Sequence, residues 1–462
     1  MAQDATTNKL YGKYDSSTKT LTFQYGAIPT TTDGTEITDY SGGFMSSYEP
    51  KYNPEVVKVV FDESCKDARP TSCLRWFQGC SNLESIEGLE YLNTENVHMY
   101  NYMFAGCSKL KTLDVSHFNT AKSSEFVNMF AYCSSLTELD LGSFDTSNAK
   151  YEYESDNFYG LWYMFSGCTN LKTIYVSDKF TTSGCYKGDS GTTMFDGCTS
   201  LRGAVEYNAN NINQDFANYK TGYFSKAYAL VGDTKVPLAG EETFAWELPL
   251  VDGCDFTTPE PFTARTATYE RNVKNAWSTL CLPYAFTTST IGADVYAIKD
   301  LGNDKITVSR VSGTVEAGTP VLVYHKAGKG TIKVDADNAA VVTAPVNTAN
   351  ALVGTFVETS VPDDDYIIAN NKFWLVSDLK TSGKSSDVRT KGLRAYITGS
   401  SAHAAAGVLN IVSDETDAIA ALNAASDGTG VCYDVQGRRL NGLQKGLNIV
   451  KRGGATTKII IE

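Results

Sequence analysis

One pattern of apolar and polar positions recurs five times along the chain between residues 75 and 205. Each copy reads Phe-x-x-Cys-[Ser/Thr]-x-Leu, and successive cysteines are 27, 26, 35 and 30 residues apart. Repeats of this length predict units that each bury an apolar face against the next, so that all five share one core. The predicted core positions are Phe77, Cys80, Leu83, Phe104, Cys107, Leu110, Phe130, Cys133, Leu136, Phe165, Cys168, Leu171, Phe195, Cys198 and Leu201.

The spacing inside one copy predicts a short strand followed by a short helix. In the second copy Leu110, Leu113 and Val115 fit a half-buried strand. The residues at 118–120 then supply a turn and a helix N-cap, and a short helix carrying Phe130 follows. Each repeat is therefore expected to contribute one strand and one helix to a solenoid.

The third copy, from Met129 to Asn148, resembles the BspA-like leucine-rich repeat of bacterial surface proteins, Met-Phe-x-x-Cys-Ser-x-Leu-x-x-Leu-Asp-Leu-Ser-x-Phe-Asp-Thr-Ser. The first copy departs from it by Trp76 in place of methionine, and the fifth loses its strand pattern at Gly203. Terminal repeats of a stack are commonly atypical. The resemblance implies a leucine-rich-repeat solenoid at a bacterial surface, with extracellular matrix, plasma proteins or other cells as partners.

The composition of the flanking segments divides the rest of the chain. Residues 1–74 hold two strand-like runs and are expected to cap the repeats at 75–225. Four prolines mark 226–264 as a linker. Seven short strand-like runs favour a β-sandwich-like domain at 265–412. Residues 428–462 carry the sequences Tyr-Asp-x-x-Gly-Arg, at 433–438, and Lys-Gly-x-x-Ile-Val, at 445–450. With them this segment resembles the small C-terminal β modules of exported proteins of Gram-negative anaerobes, some of which are sorting tails.

The expected fold class is therefore an α+β leucine-rich-repeat-type solenoid followed by a mainly-β, sandwich-like region. A length of 462 residues allows two or three domains, and 42% hydrophobic with 20% charged residues is typical of a globular chain. The net charge of −13 argues against nucleic acids and anionic membranes as partners. No apolar run reaches the ~18 residues of a membrane helix. The first residues lack the features of a signal peptide. Because the resemblances are to exported proteins, we expect export to the cell surface or the medium, with a signal peptide removed.

The residues that could carry chemistry do not form a recognisable catalytic set. Five of the eleven cysteines share one repeat position between Phe and Leu, which predicts buried thiols that donate weakly to the backbone. Whether Cys65 and Cys73 are bridged is left open. The four scattered histidines form no zinc motif, and the Gly-Asp-Ser-Gly sequence at 188–191 is interpreted as a turn. No catalytic residue, cofactor or metal is predicted, and the protein is not expected to be an enzyme.

The polar residues that flank the central apolar residue of each predicted strand define a candidate binding surface. In the second repeat Thr112 and Asp114 flank Leu113. We call the full set of equivalents the acidic ledge: Ser85, Glu87, Thr112, Asp114, Glu138, Asp140, Thr173 and Tyr175. Any one of them is an ordinary solvated residue of a sheet face, but a stack presents them in rows that a partner can bind.

These features favour an exported, non-enzymatic, adhesin-like surface protein that binds proteins or glycans outside the cell through its solenoid. Two alternatives stay open. One is a carbohydrate-binding or carbohydrate-processing protein with its site at 265–412, where Trp277, Tyr284, Tyr324 and Trp374 are candidates for stacking on sugars. The other is a structural component of a surface fibre assembled through the C-terminal strands. The sequence leaves the ligand, the export route and the oligomeric state open.

Overall fold

The structure is a computed structural model divided into two compact units. The first unit comprises Met1–Tyr228 and Pro237–Phe244, and the second comprises Ala229–Val236 and Ala245–Glu462. The residues that the structure describes are 8–29, 36–40, 53–149, 160–185, 193–302, 304–347, 351–382, 386–399, 407–413, 431–434, 436–440, 446–452 and 455–461.

The first unit consists of short strands, tight turns and single turns of 3-10 helix. Its strands are β1 (Lys9–Asp15), β2 (Thr20–Gly26), β3 (Glu36–Asp39), β4 (Lys58–Phe61), β5 (Ser85–Glu87), β6 (Glu138–Leu141) and β7 (Thr173–Val176). The 3-10 helices are Glu63–Asp67, Leu89–Tyr91 and Gln214–Phe216.

The N-terminal strands and the first repeat form one sheet with the order β3-β1-β2-β4-β5. β1 and β2 are antiparallel, whereas β4 runs parallel to both β2 and β5. The Phe23 ring stacks on Phe61 and Trp76, with centroids 4.5 and 5.5 Å apart. The segment expected to cap the repeats therefore continues their core.

The expected α+β fold is wrong: the described residues of the five repeats contain no α-helix. The segment before each cysteine is a run of tight turns instead. In the first repeat Arg75 and Gly79 both have left-handed backbone, with φ of 58° and 75°. The same pair of positions is left-handed in the next three repeats, at Tyr102 and Gly106, Asn128 and Tyr132, and Tyr163 and Gly167. Two such residues four positions apart are incompatible with a right-handed helix.

The backbone groups that a helix would pair internally are used between repeats. The N–H of Phe77 donates to Met103 O of the next repeat at 2.8 Å, and Phe104 donates to Met129 O at 2.9 Å. The same bond recurs from Phe130 to Met164 O at 3.0 Å. The repeats therefore stack in register, and their phenylalanine rings lie 5.5 to 5.8 Å apart from Phe77 through Phe104, Phe130 and Phe165 to Phe195.

The repeat cysteines confirm the prediction of buried thiols that donate to the backbone. The Sγ of Cys107 donates to Phe77 O of the preceding repeat at 3.2 Å, and that of Cys133 donates to Phe104 O at 3.1 Å. Burial raises the pKa of both thiols well above its usual range. All eleven cysteines are free, so Cys65 is not bridged to Cys73.

The remaining chain is almost entirely β. Its strands are β8 (Ala227–Val231), β9 (Thr234–Leu238), β10 (Phe244–Val251), β11 (Phe256–Thr257), β12 (Phe262–Val273), β13 (Trp277–Leu280), β14 (Phe286–Thr287), β15 (Asp294–Leu301), β16 (Lys305–Arg310), β17 (Thr314–Val315), β18 (Val321–Tyr324), β19 (Gly330–Val341), β20 (Leu352–Thr355), β21 (Thr359–Ser360), β22 (Tyr366–Ala369), β23 (Lys372–Leu375), β24 (Arg389–Thr390), β25 (Arg394–Ile397), β26 (Val408–Ser413), β27 (Val431–Tyr433), β28 (Arg439–Leu440), β29 (Gly446–Arg452) and β30 (Ala455–Ile461). One short helix, α1 (Val376–Thr381), follows β23.

A single curled sheet of nine strands dominates the second unit, and the expected sandwich is wrong. Its order is β13-β18-β15-β16-β26-β23-β22-β25-β20. The first strand bends round to meet the far end, because Ala395 N of β25 donates to Thr279 Oγ1 of β13 at 3.1 Å. Cys281 N also donates to Leu393 O at 3.3 Å. These bonds between the first and the penultimate strand bring the sheet close to a barrel.

Two of the predicted segments contain regular structure of their own. Residues 226–264, expected to be a linker, include β8 to β11 and the start of β12. Within 428–462, β27 to β30 form a separate sheet with the order β28-β27-β29-β30.

Candidate functional site

The acidic ledge lies where successive repeats stack. Its first row is on β5 and its third on β6. The second row, Thr112 and Asp114, lies between them, because Ser108 Oγ donates to Ser81 O at 3.3 Å and Ser134 Oγ donates to Ser108 O at 3.4 Å. The strand predicted around this row is not among the strands that the structure describes.

Several ledge carboxylates are held by neighbouring groups. Lys58 Nζ lies 2.7 Å from Glu87 Oε2. Asp114 accepts hydrogen bonds from the backbone N and the Oγ of Ser116 at 3.0 and 2.7 Å. Asp140 accepts from Gly142 N at 2.9 Å. These local bonds fix the direction of the carboxylates without removing them from water.

The last row of the ledge is not accessible. Thr173 is 7% exposed and Tyr175 is 3% exposed. The chain at Ser225 forms a parallel bridge with Tyr175, and the Tyr228 ring packs against the tyrosine at 5.3 Å. Burial, with a smaller contribution from Glu138, raises the pKa of Tyr175 above its usual range. The exposed part of the ledge is therefore its first three rows.

A buried carboxylate beside the stack was missed by the sequence. Glu125 is 7% exposed and accepts a hydrogen bond from Asn101 Nδ2. The Asn101 amide is oriented by Val127 N, which donates to its Oδ1 at 2.7 Å. Burial raises the pKa of Glu125 to about 7, although the bond from Asn101 opposes the shift. The equivalent position in the other repeats is not acidic, so the repeat pattern does not predict this carboxylate.

We expect Glu125→Gln to stabilise the first unit at high pH. Because the carboxyl pKa is higher in the folded state than its value of 4.5 in the unfolded chain, the folded state binds more protons between these values. The stability of the parent therefore falls as pH rises from about 4.5 to 7, and the variant lacks this loss. In urea unfolding, the stability of the variant relative to the parent should therefore increase by about 3 kcal/mol from pH 4 to pH 8. An equal difference at both pH values would contradict the assignment.

The aromatic residues proposed for sugar stacking do not form one set. Tyr284 is fully buried, and its hydroxyl donates to Val334 O at 3.2 Å. Trp374 is half-buried and donates from Nε1 to Ala369 O at 3.0 Å. Trp277 and Tyr324 are brought together, with ring centroids 4.7 Å apart. Of the four aromatic residues, only Trp277 and Tyr324 remain candidates for a shared sugar-binding surface.

The histidines and acidic clusters offer no assembled metal site in the described part of the chain. No group of three His, Cys, Asp or Glu side chains there could hold an ion. The Nδ1 of His98 lies 3.1 Å from Lys122 O, and His117 packs edge-on against the Phe118 ring. The motif at 188–191 lies outside the described residues.

The fold of the first unit defines a class of protein, one built from stacked, β-rich repeats with a polar face. Residues 71–173 match a protein family described as a Mycoplasma protein of unknown function, DUF285. The match spans the first four repeats and agrees with a BspA-like bacterial repeat. No curated protein and no solved structure matches the chain. Among the described residues there is no helix with the length and apolarity needed to cross a membrane.

Proposed function

We propose that this chain is an exported, non-enzymatic, adhesin-like protein that binds macromolecules outside the cell through the exposed part of the acidic ledge. The observation that carries the proposal is the stacking of three successive repeats with Glu87, Asp114 and Asp140 at equivalent positions, and with Glu138 beside Asp140 in the third. Charges repeated on a fixed scaffold complement a basic surface while losing little conformational freedom. A protein surface rich in lysine and arginine is the partner that this chemistry favours.

The rigid stack of repeats supports the proposal, because it holds the ledge residues in place for a partner. In each of the four repeats that carry them, the ledge residues come a few positions after the core cysteine. Every repeat contributes a phenylalanine ring and a buried thiol to this shared core. Because the repeats are cross-bonded through backbone N–H groups, the spacing between rows is fixed before a partner arrives. Fixed spacing reduces the entropic cost of association.

Neutralising the ledge should abolish most of the binding. In Glu87→Gln, Asp114→Asn, Glu138→Gln and Asp140→Asn combined, the amides keep hydrogen-bond acceptors for the turns but remove four charges. Binding of the full chain to arrays of extracellular-matrix proteins and glycans should weaken by more than tenfold, and the parent's affinity should fall steeply with salt.

A matched control separates the ledge from overall charge. Glu55→Gln, Asp67→Asn, Asp196→Asn and Asp215→Asn remove four exposed charges of the same unit at other positions. This control should bind within about twofold of the parent, since charges away from the contact act only at long range. Equal losses in the two variants, or none in the ledge variant, would disprove the proposed surface.

A further inference from the structure

A cavity of about 620 Å³ lies in the second unit. Three loops line it, at 288–295 before and into β15, at 310–313 after β16 and at 324–326 after β18. β15 pairs with both β16 and β18, so these loops meet at one end of the sheet. The volume is within the range of small-molecule sites in proteins.

The charges of the cavity are centred on one carboxylate between two cations. The side chain of Asp294 is 14% exposed and is paired with Arg310 Nη2. Lys326 Nζ lies 3.7 Å from the other oxygen, Oδ2. The charged side chains that line the cavity are thus two positive groups, Arg310 and Lys326, and one negative group, Asp294, in a chain whose net charge is −13. Such a contrast favours an anionic ligand here.

Neutral groups in the same walls are suited to hydroxyl groups and to an apolar ring face. Thr288, Ser289 and Ser312 bring hydroxyl side chains to the lining. Tyr324 also lines the cavity, and its ring is supported by Trp277. Aromatic rings bind the apolar face of sugars, whereas hydroxyls and a carboxylate bind their hydroxyl groups.

We propose that this cavity binds a monosaccharide that carries one anionic group. Arg310 and Lys326 would hold the anionic group, with the planar guanidinium suited to both a carboxylate and a phosphate. Asp294 would accept hydrogen bonds from sugar hydroxyls, and Tyr324 would contact the ring. The site is independent of the acidic ledge, so its test does not depend on the proposed adhesion.

Calorimetry with the full chain should test the ligand class. Glucuronic acid represents a carboxylate-bearing sugar and glucose 6-phosphate a phosphorylated one, with glucose, acetate and inorganic phosphate as controls. At least one of the two anionic sugars should bind ten times more tightly than glucose and than the corresponding free anion. Weak or equal binding of all sugars would overturn the proposal, as would a free anion that binds as well as its sugar.

Two variants locate the binding. Arg310→Gln should weaken binding of the preferred sugar by about tenfold, because a charged hydrogen bond is lost. Should this change disturb folding through Asp294, Ser312→Trp decides the question, since it fills the cavity from an exposed position. Thr314→Trp, two residues away and exposed but outside the lining, is the control and should bind normally. Unchanged binding in Ser312→Trp would place the ligand elsewhere and contradict the proposal.

Discussion

Phe130→Ala should lower the free energy of unfolding of the first unit by about 3–5 kcal/mol. The Phe130 ring is fully buried and lies 5.8 Å from Phe104 on one side and 5.8 Å from Phe165 on the other. Removing it opens a cavity between repeats that the backbone bonds hold in place, so that the stack cannot close over it. Urea unfolding, followed by hydrogen exchange in peptides from 71–205, should show the loss in all five repeats rather than only in the third.

Tyr132 provides the matched control for that prediction. It lies two residues after Phe130, is 62% exposed and has a left-handed φ of 59° at a position where the other four repeats have glycine. Tyr132→Gly removes an even larger side chain but relieves this backbone strain. Its stability should stay within about 1 kcal/mol of the parent. A loss as large as that of Phe130→Ala would mean that side-chain size alone, and not the shared core, sets the effect.

Asp252→Asn should destabilise the second unit by about 3 kcal/mol. Asp252 Oδ1 pairs with Arg394, lies 3.9 Å from Arg271 Nε and accepts a hydrogen bond from the Tyr269 hydroxyl at 2.8 Å. Both arginine side chains are largely buried, at 10% and 14% exposed. The substitution would leave two buried guanidinium groups without the carboxylate they share. Calorimetry of the full chain should show the second unit unfolding at lower temperature.

The same network predicts an interaction energy and a pH dependence. Burial tends to raise the pKa of Asp252, but the bond and charge of Arg394, with Tyr269 and Arg271, lower it below its usual value. The contribution of the ionised Asp252 to stability is therefore present above the unfolded pKa of about 3.8, and it is lost as pH falls through the lower folded value.

The double variant tests the coupling between the two groups. Combining Asp252→Asn with Arg394→Met should recover part of the stability that Asp252→Asn alone loses. Additive losses in the double variant would contradict a shared network.

The sequence predicted the units of the repeat but not their internal structure. The Phe-x-x-Cys spacing located the rings and thiols correctly, because burial in a shared core follows from the recurrence of apolar positions. The sequence at 118–120 predicts a turn and a helix N-cap, yet Thr120 Oγ1 accepts from Asp145 N at 2.8 Å and donates to Asp145 O at 3.0 Å in the next repeat. The preference of threonine for helix N-caps cannot distinguish a cap within one repeat from a hydrogen bond to the next repeat, 25 residues further along the chain.

The candidate sites depended on contacts that spacing does not encode. Tyr175 has the same place in the repeat pattern as Asp140, but the returning chain at Ser225 and Tyr228 covers it. The cavity around Asp294 is formed by three loops whose proximity follows only from the pairing of β15 with two other strands. Such sites need the topology as well as the sequence.

Thiol labelling of the native chain tests the central claim, that five repeats share one core, most directly. Cys254 is partly exposed, whereas Cys80, Cys107, Cys133, Cys168 and Cys198 are buried, and burial raises the pKa of Cys80 to about 11. With a membrane-impermeant thiol reagent at pH 8 and mass spectrometry of peptides, Cys254 should react within minutes. The five repeat cysteines should react only after urea unfolds the first unit, and then together. Rapid labelling of the repeat cysteines in the native protein, at rates close to that of Cys254, would contradict the stacked core.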